Sequence, residues 1–439
     1  MRPLVAIASI LALLCGPASG FAADLNVPPQ GFTALFNGKD LSGWWGASTE
    51  DPATYLSLPP EELSKKKQQS LADIRQHWSV RDGVLINDGH GLYLTTDRNY
   101  GDFELLLEYK TVPKADSGIY LRGMPQVQIW DATEEDPRGF GKAKGSGGLW
   151  NNSPGAAGKD PLVLADKPLG QWNKFRITMI GERVSVWLND KLVVDHARME
   201  NMFDKDRKRP VPPQGPIQLQ THGGEIQWRN IFIREIGPEE ANRVLREKSG
   251  DGFTNIFNGK DLSGWTGDAA SYEVIDGAIA CKPGKGGNLY TEEQYGDFTV
   301  QLEFRLPEAG NNGLAIRYPG DGSPSQTGMC EIQILDTEHP KYATIDPRQA
   351  HGSAYGMVPA YRGYLRPTGQ WNHQVVTVRG PTIHVELNGT RILDADLSKV
   401  TEFMGNQKHP GKDRTRGHFG FAGHNDPVQF RNISIRRLD

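Results

Sequence analysis

Apolar and polar residues alternate in short stretches along most of this chain, which is the pattern of β-strands with one buried face. Residues 103–110 and 298–305 show the alternation most clearly. In residues 183–195 and 382–389, alternating runs adjoin Asn-Asp and Asn-Gly, which favour tight hairpin turns. The 51 glycines and 29 prolines are numerous enough to supply many such turns. The pattern predicts an all-β fold, with about ten to twelve strands in each half of the chain.

The chain also contains an internal duplication. Residues 31–46 recur as residues 252–267, with thirteen of the sixteen positions identical. The motifs Tyr-Gly-Asp-Phe, Gly-Gln-Trp-Asn and Arg-Asn-Ile then follow in the same order in both halves. We therefore predict two tandem β-sandwich copies, at residues 24–237 and 251–439, joined by a helical linker at 238–250. Each copy has the size of one large domain and should have a complete core.

The first copy is longer than the second between its opening motif and its Tyr-Gly-Asp-Phe motif. The extra residues include a charged, lysine-rich run that follows two prolines. Proline is favoured in the first turn of a helix, so the run predicts a helical insertion near residues 50–77.

The N-terminus has the features of an export signal. Arg2 precedes an apolar run from Leu4 to Leu14, which is too short to span a bilayer, and small residues follow it. We expect cleavage near residue 23 and export to the periplasm or the cell exterior. A lipid anchor on Cys15 is the alternative, but Leu14 is too large for the position before it.

Two kinds of partner are disfavoured by the remaining sequence. No later stretch is apolar enough to form a transmembrane segment. The formal net charge is −4 and the chain has no basic blocks, which argues against nucleic acid as a partner.

In combination, these motifs resemble the 3-keto-disaccharide hydrolase family. The resemblance rests on the opening Phe-Asn-Gly-Lys-Asp-Leu-Ser-Gly-Trp, the three motifs above and residues 331–336, and it covers both copies. It implies a concanavalin A-like jelly-roll β-sandwich in each copy and a carbohydrate as the ligand. It also implies cleavage of glycosides that carry a ketone at sugar carbon 3.

Such a substrate determines which side chains are needed. The ketone acidifies the hydrogen on carbon 2, so a general base can remove it and carbon 1 can expel its leaving group. A cation or hydrogen-bond donor must stabilise the ketone oxygen. In the second copy, Glu331 on a strand and His351 and His424 on loops are the candidate catalytic residues. The candidate substrate-binding residues of this copy are Arg317, Gln333, Asp336 and Tyr355.

The first copy keeps only part of this set. Gln126 occupies the position of Glu331, and Ser146 occupies that of His351. A glutamine cannot act as a general base, so the exchange predicts a copy that binds sugar without turning it over. Its candidate binding residues are Arg122, Gln128, Asp131, Trp150 and His222.

Other interpretations stay open at this point. Both copies could be lectin-like modules without catalytic activity. A glucanase with two catalytic carboxylates is disfavoured because Gln333 stands where a second acid would be needed. A divalent metal at the enolate oxygen is a further option, although the sequence has no close His-x-x-x-His spacing. Cys281 and Cys330 could form a disulfide after export or remain thiols.

Overall fold

The computed structural model describes residues 25–439, so the predicted export signal lies outside the described residues. The strands of the first copy are β1 (Thr33–Ala34), β2 (Trp44–Ala47), β3 (Trp78–Arg81), β4 (Val84–Asn87), β5 (Tyr93–Thr96), β6 (Phe103–Thr111), β7 (Asp116–Leu121), β8 (Met124–Trp130), β9 (Asn173–Ile180), β10 (Arg183–Leu188), β11 (Lys191–Arg198), β12 (Gln218–Leu219) and β13 (Ile226–Glu235). Those of the second copy are β14 (Thr254–Asn255), β15 (Trp265–Gly267), β16 (Tyr272–Ile275), β17 (Ala278–Cys281), β18 (Gly286–Tyr295), β19 (Phe298–Arg305), β20 (Asn311–Tyr318), β21 (Cys330–Leu335), β22 (Trp371–Arg379), β23 (Thr382–Leu387), β24 (Thr390–Asp396), β25 (Gly417–His424) and β26 (Gln429–Arg437). The α-helices are α1 (Pro52–Leu56), α2 (Pro60–His77), α3 (Pro238–Glu247) and α4 (Pro324–Thr327). Single 3-10 turns lie at Lys142–Lys144, Ala269–Ser271, Pro340–Tyr342, Pro347–Gln349, Leu397–Lys399 and Met404–Asn406.

Each copy consists of one eight-stranded and one five-stranded antiparallel sheet. In the first copy the larger sheet has the order β11-β10-β9-β6-β13-β4-β3, with β1 beside β13, and the smaller sheet has the order β2-β5-β12-β7-β8. The second copy repeats both orders, as β24-β23-β22-β19-β26-β17-β16, with β14 beside β26, and as β15-β18-β25-β20-β21. The predicted all-β fold, two tandem concanavalin A-like jelly-roll β-sandwiches, is confirmed. Each copy has thirteen strands rather than ten to twelve, because two-residue strands such as β1 and β12 are too short to show alternation.

The two sheets of each copy enclose a separate hydrophobic core. Along β6 every second side chain is buried in the core of the first copy, as its alternating sequence predicts. The shared opening motif ends in Trp44 and Trp265, which are buried in the two cores. Their indole nitrogens donate to the backbone oxygens of Leu35 (3.0 Å) and Ile256 (2.9 Å). Through its buried tryptophan, the motif therefore stabilises the first segment of the chain in each sandwich.

The insertion of the first copy packs on the outer face of its five-stranded sheet. Helix α1 begins at Pro52, and the Asp51 carboxylate accepts a hydrogen bond from the backbone N–H of Ala53. The ring of Tyr55 packs edge-on against Trp45, with the centroids 5.7 Å apart. The second copy has no insertion and has the exposed Thr266 in place of Trp45. Helices α1 and α2 therefore cover part of this face in the first copy and have no counterpart in the second.

The two copies meet where the turn between β9 and β10 of the first copy contacts the turn between β23 and β24 of the second. Glu182 is fully buried, and its backbone N–H donates to the oxygen of Gly389 at 3.0 Å. Its carboxylate accepts from the side chain of Arg198 (2.7 Å) and from the backbone N–H of Arg391 (3.2 Å). Gly181 has positive φ, and a Cβ there would overlap the Asn388 backbone oxygen. Groups from both copies therefore satisfy one buried carboxylate.

The sequence left open whether Cys281 and Cys330 form a disulfide. Cys281 and Cys330 are free, buried thiols on different sheets. Within residues 25–439, none of the helices has both the length and the apolar character that a membrane crossing requires.

Candidate functional site

Glu331 lies on the outer face of the five-stranded sheet of the second copy. It is on β21, opposite Ala315 of β20, and its neighbours Ile332 and Cys330 are buried in the core. The Glu331 side chain crosses over Gly313, and a Cβ at that glycine would overlap its carboxylate. Glycine at 313 therefore provides the space in which the carboxylate lies.

His424 joins Glu331 at this face. It is the last residue of β25, and its Nε2 lies 3.8 Å from Glu331 Oε1. The Glu331 carboxylate raises the pKa of His424 because it stabilises the protonated ring. The imidazole is 49% exposed whereas the Glu331 side chain is 6% exposed, so solvent and ligands reach the pair from the histidine side.

His351 lies in the interior, away from this pair, which contradicts its proposed catalytic role. It is 3% exposed, and its ring stacks on Phe304 at 5.0 Å between centroids. Its Nδ1 accepts from the Leu335 N–H at 3.3 Å, and its Nε2 bonds Gln374. In the first copy the Ser146 hydroxyl accepts from the corresponding N–H. The His-to-Ser exchange thus replaces one structural acceptor with another.

The buried His351 should make the protein sensitive to acid. Burial lowers its pKa to about 3, whereas a histidine in the unfolded chain titrates near 6.5. Between these values the unfolded chain binds more protons, so stability falls as pH falls. From pH 7 to pH 5 this group alone should cost about 2 kcal/mol of unfolding free energy. Urea unfolding at both pH values should show a smaller loss for His351→Gln than for the wild type, and equal losses would contradict this prediction.

Arg317 and Arg122 are also structural residues and not substrate ligands. Both are 1% exposed. The Arg317 guanidinium donates to Asp297 at 2.7 Å and to the backbone oxygens of Gly296, Gly380 and Arg414. Arg122 makes the equivalent bond to Asp102 at 3.0 Å. The aspartates belong to the two Tyr-Gly-Asp-Phe motifs, so each motif supplies the carboxylate that pairs with a buried arginine.

Replacing Arg317 with methionine should destabilise the protein. The substitution removes the buried partner of Asp297 and the donors to three carbonyls, which typically costs about 3–5 kcal/mol. Urea unfolding would measure the loss. The control is Arg437→Met, whose exposed ion pair with Glu293 should contribute less than about 1 kcal/mol. Wild-type stability combined with a loss of sugar binding would restore Arg317 as a ligand.

The other predicted binding residues of the second copy differ in position. Gln333 lies beside Glu331 on the outer face, and its amide donates to the side-chain oxygen of Asn311 at 2.7 Å. Tyr355 is next to them, with its N–H bonded to the Glu331 backbone oxygen. Asp336 follows the end of β21 and accepts from the N–H of Ala309 at 3.0 Å. Gln333 and Tyr355 thus lie near the pair, whereas Asp336 stabilises a loop.

The first copy has a cavity of about 310 Å³ at the same face of its five-stranded sheet. One wall consists of Trp130, Phe140 and Trp150, with Trp130 and Trp150 edge-to-face at 5.2 Å. On the opposite side, the hydroxyls of Tyr93 and Tyr120 both lie 2.9 Å from that of Thr49, close to the insertion. The aromatic rings and hydroxyls together form a lining suited to a sugar ring.

A histidine–carboxylate pair that the sequence analysis missed lines this cavity. His222 Nδ1 donates to Asp116 Oδ2 at 3.0 Å, and Gln128 Nε2 donates to Asp116 Oδ1 at 2.8 Å. Gln126 bonds Gln128 beside them. The hydrogen bond to Asp116 raises the pKa of His222. The remaining predicted residue, Asp131, accepts from the N–H groups of Lys114 and Thr133 and stabilises a loop.

The two copies carry their carboxylates in opposite positions. Asp116 of the first copy corresponds to Asn311 of the second, and Gln126 corresponds to Glu331. Each copy therefore has one acid and one amide at these two positions, on different strands. This correspondence is visible in the sequence, because Asp116 and Asn311 each lie two residues before a glycine that both copies share, Gly118 and Gly313. The first copy therefore has a carboxylate at this face, Asp116, although Gln126 occupies the position of Glu331.

Across residues 25–439, no three His, Cys, Asp or Glu side chains form a group that could hold a metal ion.

Comparisons with known proteins relate the chain to one family. The sequence profile of the 3-keto-alpha-glucoside-1,2-lyase-like domain matches residues 31–234 and again 252–436. A 3-keto-disaccharide hydrolase of Bacteroides thetaiotaomicron is 26% identical over 268 residues, covering 51% of this chain and 91% of that protein. A solved candidate glycosyl hydrolase of Parabacteroides distasonis is 25% identical, with a TM-score of 0.39, covering 43% of this chain and 100% of that one. The carbohydrate-binding module CBM66 of Bacillus subtilis is 11% identical, with a TM-score of 0.27, covering 39% of this chain and 95% of that one.

Proposed function

Because this chain belongs to the 3-keto-alpha-glucoside-1,2-lyase-like family, we propose that it cleaves glycosides whose sugar carbon 3 is oxidised to a ketone. The resemblance seen in the sequence is confirmed by the profile match to both copies. At the level of the family, the protein is carbohydrate-active and hydrolase-like. Beyond this, we propose that the substrate must carry the ketone and that the reaction takes place in the second copy.

The proposed active site is the Glu331–His424 pair of the second copy. Glu331 takes the proton from carbon 2, and the electrons of that bond form an enolate with the ketone. The enolate re-forms the ketone, creates a double bond between carbons 1 and 2, and expels the oxygen on carbon 1. His424, which the carboxylate keeps readily protonated, is placed to give that oxygen a proton. Addition of water to the double bond afterwards would complete a hydrolysis.

One observation carries this assignment. The Glu331 carboxylate lies over Gly313, has no hydrogen-bond donor within the described chain and contacts only the half-exposed His424 among charged groups. A carboxylate committed to structure would be expected to accept several hydrogen bonds, as Asp131 does. Glu331 is therefore available to accept a proton from a ligand.

The test is incubation of the full chain with 3-keto-trehalose, with unoxidised trehalose as the control. Cleavage of the keto form alone supports the proposal, because only that form has an acidified carbon 2 hydrogen. Cleavage of both sugars at similar rates would contradict it and indicate an ordinary glycosidase. Chromatography of the released sugars distinguishes these results.

A second candidate function is sugar binding without catalysis. The wall of Trp130, Phe140 and Trp150 in the first copy favours it, because sugar-binding proteins commonly present aromatic rings to their ligands. Calorimetric titration with unoxidised trehalose would detect such binding. Binding in the absence of turnover of either sugar would favour this function over the enzymatic one.

We also propose that the protein is exported to the periplasm or the cell exterior. The support is the sequence of residues 1–23, with Arg2 ahead of an apolar run. Mass spectrometry of the N-terminus of the mature protein, recovered from cell fractions, would test both the cleavage and the compartment.

A further inference from the structure

The first copy holds a histidine in a different electrostatic arrangement from the second. A carboxylate can only accept hydrogen bonds, so the bond from His222 Nδ1 to Asp116 places the ring proton on Nδ1. In the neutral ring, Nε2 then carries a free lone pair, which is the form that a general base requires. In the second copy the carboxylate of Glu331 faces Nε2 of His424 instead. The two histidines therefore present different nitrogens to a ligand.

Asp116 is itself held in a fixed orientation. Its second oxygen accepts from Gln128, whose amide also donates to the backbone oxygens of residues 117 and 129. Gln128 is 1% exposed, whereas the His222 side chain is 60% exposed. A buried amide thus orients a carboxylate, and the carboxylate orients an accessible imidazole. This order of contacts is the one used to orient a catalytic base.

The cavity around the pair has further groups that suit a ketosugar. Its volume of about 310 Å³ is within the lower part of the range of small-molecule sites. Arg138 is among its lining residues, on the side of Phe140, and supplies a positive charge for an enolate oxygen. Lys142, which lies near Trp130 and is paired with Glu134 at 2.6 Å, opposes protonation of His222.

From this geometry we propose that the first copy is a second catalytic site, in which His222 acts as the base and Asp116 positions it. The inference rests on the proposed function and concerns the same class of 3-keto-glycosides. His222 Nε2 takes the carbon 2 proton, the enolate expels the carbon 1 oxygen, and the proton passes from His222 to that oxygen. The products are an unsaturated ketosugar and the free alcohol or sugar. The step needs neither water nor an oxidant.

Four full-length proteins test the inference: the wild type, Glu331→Gln, His222→Gln and the double variant, each with 3-keto-trehalose. Glu331→Gln should retain measurable turnover, and His222→Gln in that background should lower it at least about a hundredfold. The control is His90→Gln in the Glu331→Gln background, since His90 is an exposed histidine of the same copy and should leave turnover unchanged.

The outcomes separate this inference from the proposed function. If Glu331→Gln has no turnover, or if adding His222→Gln leaves its turnover unchanged, the first copy is not catalytic and the inference is overturned. If the wild type itself does not cleave 3-keto-trehalose, the proposed function fails as well. His222 is largely exposed, and thermal unfolding would show whether its replacement leaves the fold intact.

The positioning role of Asp116 has a separate readout. Asp116→Asn removes the negative charge that raises the pKa of His222, so the pKa should fall. NMR titration of the His222 ring measures this directly. The pH profile of turnover in the Glu331→Gln background should shift in the same direction, toward lower pH. An unchanged titration of His222 would contradict the positioning role.

Discussion

Glu331→Gln is expected to lower kcat for 3-keto-trehalose at least about a hundredfold when it is measured in a His222→Gln chain. Glutamine keeps the size of the side chain and its place over Gly313 but cannot take a proton. The His222→Gln background removes any contribution from the first copy, so the measured rate belongs to the second. A steady-state assay of the sugars released from 3-keto-trehalose provides the measurement.

A matched carboxylate is available as the control for this substitution. Glu308 precedes β20, and its side chain is 83% exposed. Glu308→Gln should leave kcat unchanged in the same background. Turnover by Glu331→Gln near that of its parent would remove Glu331 as the base and make His424 the candidate.

Gly313→Ala should have an effect of similar size through position alone. Gly313 does not have positive φ, so alanine fits its backbone, but the added Cβ would overlap the Glu331 side chain. The carboxylate must then move, and a displacement of about 1 Å at a reacting group can cost about a hundredfold in rate. In the same His222→Gln chain, we expect this loss in kcat with little change in the midpoint of thermal unfolding.

A double-mutant comparison shows whether the effect acts through Glu331. If Gly313→Ala only displaces the carboxylate, combining it with Glu331→Gln should add little to the loss caused by Glu331→Gln alone. If the losses in kcat of the two single variants multiply, Gly313 contacts the substrate or supports the fold independently of Glu331. Kinetics of the two single variants and the combined variant are sufficient.

Much of the fold could be predicted because two independent patterns agree. Alternation along strands such as Phe103–Thr111 indicates which face is buried, and the duplication requires both copies to satisfy one topology. Two-residue strands such as Gln218–Leu219 leave no such pattern, since a pair of residues cannot show a period of two. Their pairing is decided by the neighbouring strands.

The site was predicted less completely, for a physical reason. A sequence places residues along a strand, so Glu331 could be assigned to a face, but it does not place a loop side chain. His351 lies on the loop after the strand of Glu331, but its ring is buried and accepts a hydrogen bond from the Leu335 N–H. The Arg317 guanidinium donates its hydrogen bonds to other groups of the protein, such as the Gly296 oxygen. Asp116 was missed because only the replacement of Glu331 by Gln126 was considered. The first copy carries its carboxylate on the adjacent strand instead.

The shared burial of Glu182 has an evolutionary consequence. The Bacteroides thetaiotaomicron protein aligns over 91% of its own length but over only 51% of this chain, whereas this chain carries two copies of the domain. After the duplication, the carboxylate of one copy came to depend on the backbone of Arg391 in the other. Deleting the second copy would now expose the Glu182 carboxylate and remove one of its three donors, which are Arg198, Val211 and Arg391. The tandem arrangement has thereby become difficult to reverse, and the two copies are inherited as one unit.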